Sequence, residues 1–462
     1  MGDTGVFDLA VIGSGGAAMA AAIAARQAGR TVVLIEQATL GGTCVNIGCV
    51  PSKTLLAAAG ARHAALGNPF PGAPISAGQV DLAALVGQKD ELVGRLRQAK
   101  YADVAAAYGF EVRPGHARFT GDDTLTVDGR PLAARAYLIA TGAEPADPGL
   151  PGLDEVDWLS STTAMELTRL PESLVVVGGG YVGMEQAQLF AHLGARVTLV
   201  GRLAPAAEPE VADALRAVFA DDAITILEDR AVAVEKIDGQ VVVRTRSGQR
   251  AGGARLLVAT GRSPRTVTLD LDAAGVKTDE RGFVVVNERQ ATSNPRIFAA
   301  GDVTGGPQYV YVAAATGRAA ALNATGAAGE HPAVVDYTGL PGVVFTRPQL
   351  GSAGLTEARA LAAGYRCACR VLNLTDVPRA LADRDTRGVV KLVADAGSGR
   401  LLGVHAAADA AGELMLAATY AIKAAMTVDE IADTWAPYLT MAESLRLAAG
   451  LFRTDMPASC CA

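Results

Sequence analysis

Aromatic residues, charged residues and long apolar runs are scarce in this chain of 462 residues. Aromatic side chains make up 5% and charged ones 19%, whereas 50% of the residues are hydrophobic. This composition is typical of a globular protein and excludes a disordered one. The formal net charge of −7 argues against a nucleic-acid-binding surface, which is normally basic. Because no apolar run reaches the roughly 18 residues of a membrane span, we expect no nucleic-acid or membrane partner.

The N-terminal region carries no basic residue before Arg26. A secretory signal peptide begins with a basic segment, so we expect no signal peptide and a cytoplasmic location. At roughly 150 residues per domain, the length corresponds to about three domains.

Cysteines are also few, and their placement is informative. Six cysteines are too few for a disulfide scaffold in a chain of this length. They occur in three close pairs: Cys44 and Cys49, Cys367 and Cys369, and Cys460 and Cys461. Close pairs favour redox or soft-metal chemistry over structural cross-links. Cys367 and Cys369 are two residues apart on a predicted strand, and we favour half-buried strand residues over a third metal site.

Residues 7–37 have the pattern of a strand, a glycine-rich turn, an alanine-rich helix and a second strand that ends at Glu36. In this context the turn predicts a dinucleotide site, because its glycines let the backbone approach a pyrophosphate at the helix N-terminus. Glu36 can bind a ribose hydroxyl. An ordinary glycine-rich turn is the alternative. The predicted contacts are Gly13, Gly15, Gly16, Ala18 and Glu36.

The same pattern returns at residues 173–202, but Gly201 and Arg202 stand where the first unit has its acid. An acid would repel a 2′-phosphate, whereas a small residue followed by arginine accommodates one. We therefore predict an NADPH site, with a merely surface-exposed Arg202 as the alternative. The predicted contacts are Gly178, Gly180, Tyr181, Gly183 and Arg202.

Three further apolar segments fit a protein with two dinucleotide cofactors. Residues 137–142 and 256–261 are predicted strands that end in Thr-Gly, and residues 297–302 form a strand that ends in an acid. The acid, Asp302, can bind the ribityl chain of a flavin. The further predicted cofactor contacts are Ala117, Thr141, Gly142, Gly261 and Asp302.

The C-terminal part has strands at residues 343–346, 369–373 and 389–394 and helices at residues 410–425 and 427–432. This is an α+β pattern without a nucleotide motif, which leaves it free to form a subunit interface. We predict an α/β fold with two Rossmann-like dinucleotide-binding domains and a C-terminal α+β dimerisation domain. The predicted segments are 1–150 (first flavin-binding part, with Cys44 and Cys49), 151–275 (NADPH), 276–337 (second flavin-binding part) and 338–462 (interface, with the terminal cysteines).

The segment 41–53 holds Cys44 and Cys49. On a regular helix their Cα atoms would be about 7–8 Å apart, beyond the roughly 4.4–6.8 Å of a disulfide. The backbone is therefore expected to be distorted, which Gly48 makes easier. A helix N-terminus and nearby Lys53 are expected to lower a thiol pKa and favour the thiolate. Two buried core cysteines are the alternative.

On this segment and the two glycine motifs, the chain resembles the flavin-dependent pyridine nucleotide–disulfide oxidoreductases over essentially its whole length. The resemblance implies FAD beside a redox disulfide and NADPH at the opposite flavin face. It makes Cys49 the cysteine next to the flavin and Cys44 the interchange thiol. The other roles that it implies are cofactor contacts at Gly42 and Thr43, Lys53 near flavin N5 and paired with Glu185, and Tyr181 over the nicotinamide pocket.

Disulfide-reducing members of this family carry a His-Pro…Glu motif near the C-terminus, with the histidine as general acid and base. Here Tyr438 takes the histidine position, while Glu443 keeps the glutamate position. A phenol with a pKa of about 10 is a poor proton carrier at pH 7. A dithiol substrate is therefore not expected.

The chain ends with Cys460 and Cys461, whose adjacent Cα atoms, about 3.8 Å apart, are too close for an unstrained disulfide. Two soft thiol pairs and no proton carrier predict the transfer of a soft metal ion. This combination resembles the branch of the family that reduces Hg²⁺ to Hg⁰. That resemblance implies a homodimer in which Cys460 and Cys461 of one subunit pass thiol-bound Hg²⁺ to Cys44 and Cys49 of the other, near Tyr438. A frayed end with incidental cysteines is the alternative.

Other functions stay open at this point. A dihydrolipoamide dehydrogenase should carry an acid at Gly201 and a histidine at Tyr438, and a thioredoxin- or glutathione-type reductase should keep that histidine. A metal-binding flavoprotein without turnover would not need two nucleotide sites. Because the chain starts within six residues of the first strand, we expect no N-terminal Cys-x-x-Cys metal-binding domain.

Overall fold

The computed structural model describes residues 6–454. Cys460 and Cys461 lie outside these residues. The chain forms two compact units. The first comprises the residues up to Leu55, Ala83–Ala146 and Gly261–Asp336, and the second comprises Leu56–Leu82, Asp147–Thr260 and the residues from Tyr337 onward.

The strands in chain order are β1 (Phe7–Ile12), β2 (Val32–Glu36), β3 (Glu111–Pro114), β4 (Ala117–Gly121), β5 (Thr124–Val127), β6 (Arg130–Leu132), β7 (Ala134–Ile139), β8 (Ala143–Pro145), β9 (Trp158–Leu159), β10 (Ser173–Val177), β11 (Arg196–Val200), β12 (Thr225–Leu227), β13 (Ala231–Ile237), β14 (Gln240–Thr245), β15 (Arg250–Gly253), β16 (Arg255–Val258), β17 (Arg262–Pro264), β18 (Ile297–Ala299), β19 (Pro341–Val344), β20 (Gln349–Gly354), β21 (Cys367–Asn373), β22 (Val389–Asp395) and β23 (Leu401–Ala408).

The α-helices in chain order are α1 (Gly16–Gln27), α2 (Gly42–Asn46), α3 (Cys49–Leu66), α4 (Leu82–Arg97), α5 (Asp103–Tyr108), α6 (Ser161–Ala164), α7 (Tyr181–Leu193), α8 (Pro209–Asp221), α9 (Val310–Ala324), α10 (Glu357–Ala362), α11 (Pro378–Asp383), α12 (Ala411–Lys423), α13 (Val428–Asp433) and α14 (Glu443–Gly450).

The first unit is built on a parallel sheet with strand order β18-β7-β1-β2-β3. Strand β1 is apolar because both of its faces are covered: Leu9 and Val11 pack into a core with α1 and α9, while Ala10 and Ile12 pack into a second core with the antiparallel strands β4, β5 and β6. A side chain at Gly317 of α9 would collide with the carbonyl oxygen of Ala17 in α1. This close approach explains the small residues on both helices.

The second unit contains another parallel sheet, with strand order β12-β11-β10-β16-β9, and a three-stranded meander, β13-β14-β15. It also contains an antiparallel sheet of order β19-β20-β23-β22-β21, whose core includes residues of α12, α13 and α14. The predicted fold class is confirmed. Among the described residues, no helix is both long and apolar enough to cross a membrane.

Two strands of the antiparallel sheet were missed in the sequence, β20 and β23. All eight residues of β23 are buried, so the strand lacks the alternation of polar and apolar residues that marks a half-exposed strand. Its alanine-rich end also has no strand preference. The two compact units divide the chain differently from the four predicted segments 1–150, 151–275, 276–337 and 338–462. The functional roles assigned to those segments stay a prediction.

Candidate active site

The first glycine loop follows β1 and leads into α1. Gly13 has φ +110°, and a side chain there would collide with the carbonyl oxygen of Ala140. Gly15 is the N-cap of α1 and provides no side-chain cap. The first backbone N–H groups of α1 are therefore available to an anionic ligand. Ala18, also predicted here, is fully buried and packs the helix rather than facing this loop.

The redox segment packs directly on that loop. Gly42 has φ +62°, and a Cβ there would lie 2.6 Å from the Cα of Gly15. Ser14 donates its hydroxyl to Glu36 (Oγ to Oε2, 2.5 Å) and accepts a hydrogen bond from the backbone N–H of Gly41 (2.9 Å). Ser14, which the sequence analysis did not single out, therefore joins the acid at the end of β2 to the cysteine-bearing segment.

The other predicted flavin contacts of the first unit lie at strand ends. The Thr141 hydroxyl donates to the carbonyl oxygen of Arg265 (2.7 Å), and Gly142 has φ +71°. Ala117 is buried at the start of β4. Asp302 lies in the 3-10 turn that follows β18. Thr43 is the second residue of α2. The flavin contacts of these residues stay a prediction.

Arg262 is a site residue that the sequence analysis missed. Its Nη2 atom lies 3.6 Å from Oδ2 of Asp302, and its buried Nε has no hydrogen-bond partner. Burial raises the pKa of Asp302, and the Arg262 charge opposes this shift. The Arg262 guanidinium also lies within electrostatic range of Cys49. A glycine-lined helix N-terminus, an acid and a partly buried guanidinium whose Nε donor is unsatisfied fit FAD, which carries a pyrophosphate and hydroxyl groups.

The predicted backbone distortion between the two cysteines is confirmed. Helix α2 ends at Asn46, and α3 begins at Cys49, so the two cysteines lie on separate helices. A Cβ at Gly48 would lie 2.9 Å from the carbonyl oxygen of Thr43. Glycine is therefore required here by the close approach of two backbone segments.

Cys44 and Cys49 are not joined in a disulfide; Cys44 is partly buried and Cys49 is exposed. The hydrogen bond to Cys49 and burial raise the pKa of Cys44, and Lys53 opposes this shift only weakly. The expectation of a lowered thiol pKa is therefore wrong for Cys44, because the neighbouring sulfur outweighs the lysine. Cys49 is the first residue of α3, where the helix dipole favours a negative charge.

Tyr101 is a second residue that the sequence analysis missed. It lies in a π-helical turn, Gln98–Ala102, that follows α4. Burial and the sulfurs of Cys44 and Cys49 raise its pKa to about 12. The phenol therefore stays protonated beside the thiol pair. Nothing in the local sequence reveals this contact, because a π-helical turn has no simple sequence pattern and Tyr101 is remote in the chain from Cys49.

The second glycine loop follows β10 and repeats the geometry of the first. Gly178 has φ +115°, and a side chain there would collide with the carbonyl oxygen of Ala259. A side chain at Gly183 would overlap the carbonyl oxygen of Gly178. Gly180 is the N-cap of α7, and Tyr181 is the first residue of that helix. The glycine-rich loop between β10 and α7 is therefore present in the structure, and its nucleotide contacts stay a prediction.

The strand register places Gly201 at the position that Glu36 holds in the first unit. Val177 pairs with Val200 as Ile12 pairs with Ile35, so the next residues, Gly201 and Glu36, are equivalent. Gly201 has φ +138° and Arg202 is exposed. Gly261, with φ +141°, follows β16. An exposed arginine suits both a contact to the 2′-phosphate of NADPH and a plain surface position, so the role of Arg202 stays a prediction.

The predicted residues of the second unit occupy different environments. Glu185 is buried on α7 and accepts a hydrogen bond from the backbone N–H of Phe345 (2.9 Å). Lys53 belongs to the first unit, and its pairing with Glu185 stays a prediction. Tyr438 is exposed after α13, whereas Glu443 is buried and accepts a hydrogen bond from Arg446 (3.1 Å).

Cys367 and Cys369 lie on β21, one of the two edge strands of the antiparallel sheet. The Cys367 thiol donates to the carbonyl oxygen of Glu357 (3.9 Å), and Cys369 is hydrogen-bonded to the Glu357 carboxylate. Burial and the Glu357 charge raise the pKa of Cys369 to about 12. Two protonated, partly buried thiols favour the interpretation of these residues as packed strand residues.

The duplicated nucleotide fold and the dithiol define a class of two-cofactor redox flavoproteins. Residues 7–317 match the family model of the pyridine nucleotide-disulphide oxidoreductases, and residues 340–449 match the dimerisation domain of that family. The chain belongs to the pyridine nucleotide-disulphide oxidoreductase family, as its motifs predicted.

Curated relatives resemble the chain over nearly its full length. Mercuric reductase of Streptomyces lividans is 52% identical, with 99% of this chain and 98% of the relative covered. Mercuric reductase of Staphylococcus aureus is 45% identical, with 99% and 85% covered. Among solved structures, an HOCl-induced flavoprotein disulfide reductase of Escherichia coli is 30% identical, with a TM-score of 0.86 and coverage of 96% of this chain and 100% of that one.

Proposed function

We propose that the protein reduces Hg²⁺ to Hg⁰ with electrons from NADPH, passed through FAD and the Cys44–Cys49 pair. The observation that carries the proposal is an accessible dithiol in a chain that has Tyr438 where disulfide-reducing relatives have a histidine. The similarity to mercuric reductases over nearly the whole chain supports it.

The two glycine loops would hold the cofactors. The N-terminus of α1, with Glu36 and Asp302, suits FAD, and the N-terminus of α7, with Tyr181 and Arg202, suits NADPH. FAD, when bound, supplies two-electron transfer between the nicotinamide and the dithiol. Lys53, one turn beyond Cys49 on α3, would lie near the flavin.

The chemistry of the thiol pair follows from its protonation. Hg²⁺ is bound by two thiolates, so Cys44 releases its proton when the ion enters. A hydride equivalent from NADPH then accounts for the two electrons: NADPH leaves as NADP⁺ and H⁺, and Hg²⁺ leaves as Hg⁰. Metal reduction requires no proton on the leaving atom, which is why a phenol can replace an imidazole at position 438.

Delivery of the ion would come from a second copy of the chain. The match to a family dimerisation domain supports a homodimer. In that dimer Cys460 and Cys461 of one subunit would pass thiol-bound Hg²⁺ to Cys44 and Cys49 of the other, and Tyr438, exposed on its own subunit, would help to position the ion.

The proposal is tested by following NADPH oxidation with three acceptors: Hg²⁺ with excess small thiol, lipoamide, and oxidised thioredoxin or glutathione. We expect turnover with Hg²⁺ and little with the disulfides. Comparable rates on a disulfide would overturn the assignment in favour of a dihydrolipoamide dehydrogenase or a thiol reductase. Tight Hg²⁺ binding without NADPH oxidation would instead indicate a metal-binding flavoprotein without turnover.

The delivery step has its own test, the double variant Cys460→Ala with Cys461→Ala. We expect turnover of thiol-bound Hg²⁺ to be largely lost while the FAD content stays unchanged. The matched control is Cys367→Ala with Cys369→Ala, which removes the same number of thiols from β21 and should retain activity. Unchanged rates in the tail variant would refute delivery by the tail and leave the reductase activity standing.

A further inference from the structure

Three metal-ligating side chains converge within the second unit, away from the cysteines. They are His63 near the end of α3, His192 near the end of α7, and Asp222, which caps the end of α8. Each offers one ligand atom, and these atoms lie within 4.8 Å of one another. The Asp222 carboxylate is 2.9 Å from Nε2 of His192 through Oδ2 and 3.5 Å from Nε2 of His63 through Oδ1.

The two imidazole rings are stacked, with centroids 3.7 Å apart and an angle of 16° between the planes. Both Nε2 atoms therefore face the same carboxylate. The side chains of His192 and Asp222 are 4% and 2% exposed, whereas His63 is 29% exposed. The cluster is thus buried on two sides and open to solvent at His63, which gives a small ion a route of entry.

Hydrogen bonds between the two histidines and Asp222 account for only part of this arrangement. One proton on Nε2 of His192 makes a good hydrogen bond to Asp222 at 2.9 Å. The Nε2 atom of His63, at 3.5 Å from Oδ1 of Asp222, is beyond a strong hydrogen bond. Burial and His192 lower the pKa of His63. The neutral imidazole is the form that binds metal ions.

The groups around the cluster orient it. Gln188 donates from Nε2 to Oδ2 of Asp222 (2.8 Å), and its Oε1 accepts a hydrogen bond from the backbone N–H of Arg347 (2.6 Å). Arg62 donates to the backbone carbonyl oxygen of His192 (2.8 Å). Such outer contacts hold metal ligands in place in known sites.

Two arginines and one carboxylate set the charge around the cluster. Arg347 and Arg387 act electrostatically on His63, but Arg387 is held by Asp385 through two contacts of 2.8 Å. Asp222 carries the negative charge at the centre of the cluster. Although burial opposes it, hydrogen bonds from His192 and Gln188 lower the pKa of Asp222, so the carboxylate is ionised near neutral pH.

We propose that His63, His192 and Asp222 form a binding site for a borderline divalent cation of the Zn²⁺ class. Zn²⁺ takes imidazole nitrogen at about 2.0–2.1 Å and carboxylate oxygen at about 2.0–2.2 Å, so tetrahedral ligands lie about 3.3–3.5 Å apart. The His63–Asp222 distance of 3.5 Å already meets this spacing. Because the Nε2 lone pairs lie in the ring planes, the two rings must rotate out of their stack to bring both nitrogens to one ion; the fourth position then faces the solvent beside His63.

This site differs in chemistry from the thiol pairs. Two nitrogens and one oxygen suit Zn²⁺, Cu²⁺ or Ni²⁺, whereas Hg²⁺ prefers sulfur. The bound ion would join the end of α3, whose first residue is Cys49, to α7 and the end of α8. It would therefore cross-link three helical segments that lie in the second unit, the part of α3 from Leu56 onward, α7 and α8, and stabilise their packing.

The test is zinc binding by the FAD-loaded enzyme. After dialysis against Zn²⁺ alone, the bound zinc is counted by elemental mass spectrometry, and its ligand shell is measured by X-ray absorption. We expect one zinc per chain with nitrogen or oxygen neighbours at about 2.0–2.1 Å, distinct from the roughly 2.3 Å of sulfur. Zn²⁺ should also raise the thermal midpoint, because an ion that binds only the folded state stabilises it.

The key variant is His63→Ala, which removes the partly exposed ligand and leaves the buried His192–Asp222 pair intact. It should weaken zinc binding at least tenfold and abolish the thermal shift, while the control His331→Ala, at an exposed histidine, should change neither. Asp222→Asn provides a second test. The proposal is overturned if the wild type and His63→Ala hold the same zinc, or if only a sulfur shell is detected. Neither result depends on mercury turnover.

Discussion

Lys391 offers the sharpest structural prediction, because it is a buried cation shared by three carboxylates. Its Nζ lies 3.0 Å from Glu208, 2.9 Å from Glu210 and 2.8 Å from Glu357. Lys391 and Glu208 are 2% and 4% exposed, whereas Glu210 and Glu357 are 39% and 42% exposed. The substitution Lys391→Met keeps most of the side-chain volume and removes the charge.

The loss in free energy of unfolding on Lys391→Met is set mainly by Glu208. Removing one partner of a buried ion pair costs about 3–5 kcal/mol, since the other charge stays buried and unpaired. The two exposed carboxylates regain water and add only about 0–1 kcal/mol each. Taking about 3 kcal/mol, and roughly 2–4 °C per kcal/mol for a unit of this size, we expect the thermal midpoint to fall by roughly 6–12 °C.

The assay is thermal unfolding of the FAD-loaded protein, with the exposed Lys236→Met as a matched control. Adding Glu208→Gln to Lys391→Met should restore most of the loss, because no buried charge is then left unpaired. A midpoint within 2 °C of the wild type, or a double variant as unstable as the single one, would refute the reasoning.

The pH dependence of this network has a definite sign. The hydrogen bond from Lys391 lowers the pKa of Glu357 below its ordinary value of 4.5. The carboxylate therefore contributes stability above that value, and the contribution is lost as the pH falls through the lowered pKa of the folded state. The difference in thermal midpoint between the wild type and Lys391→Met should accordingly become smaller as the pH falls below 4.5.

Four further outcomes are expected. Reduced enzyme should release one more proton on binding Hg²⁺ than the Cys44→Ala variant does, because the raised pKa of Cys44 keeps that thiol protonated. The release is measured with a pH indicator in weak buffer. Equal release by the two proteins would mean that the proton does not come from Cys44. Arg202→Glu should lower kcat/KM for NADPH about 10–100-fold and leave NADH little changed, as expected for a lost charge-assisted contact worth about 1.5–3 kcal/mol; an unchanged NADPH/NADH ratio would make Arg202 a surface residue. Gly183→Ala should abolish NADPH binding while the flavin spectrum persists, since its Cβ would overlap the carbonyl oxygen of Gly178; normal binding would mean that the loop relaxes. Tyr438→His should increase disulfide reduction and decrease mercury turnover, and no gain would show that other groups set the choice of substrate.

Much of the fold could be predicted because its signals are local. The loops at Gly13 and Gly178 need a positive φ and a close approach to the next strand, which only glycine allows. Each loop stands between an apolar strand and a helix in the sequence itself. The break between Cys44 and Cys49 was likewise readable, because the spacing on a helix is incompatible with a disulfide.

The misses have a common cause, which is that they depend on distant parts of the chain. Strand β23 is buried on both faces and so shows no alternation. Lys53 predicted a lowered thiol pKa, but the hydrogen bond between the two sulfurs decides the pKa of Cys44. That bond follows from how α2 and α3 meet, which the residue types alone do not specify.

The sequence by itself determined the two nucleotide motifs, the dithiol segment and the replacement of histidine by Tyr438, since each is a matter of residue type at short spacing. The tertiary structure alone decided that Tyr101 and Arg262 stand beside the thiol and flavin sites and that His63, His192 and Asp222 meet. Long-range contacts arise where separate elements pack together, and the energy of such a contact depends on burial and distance, neither of which is encoded within a single segment.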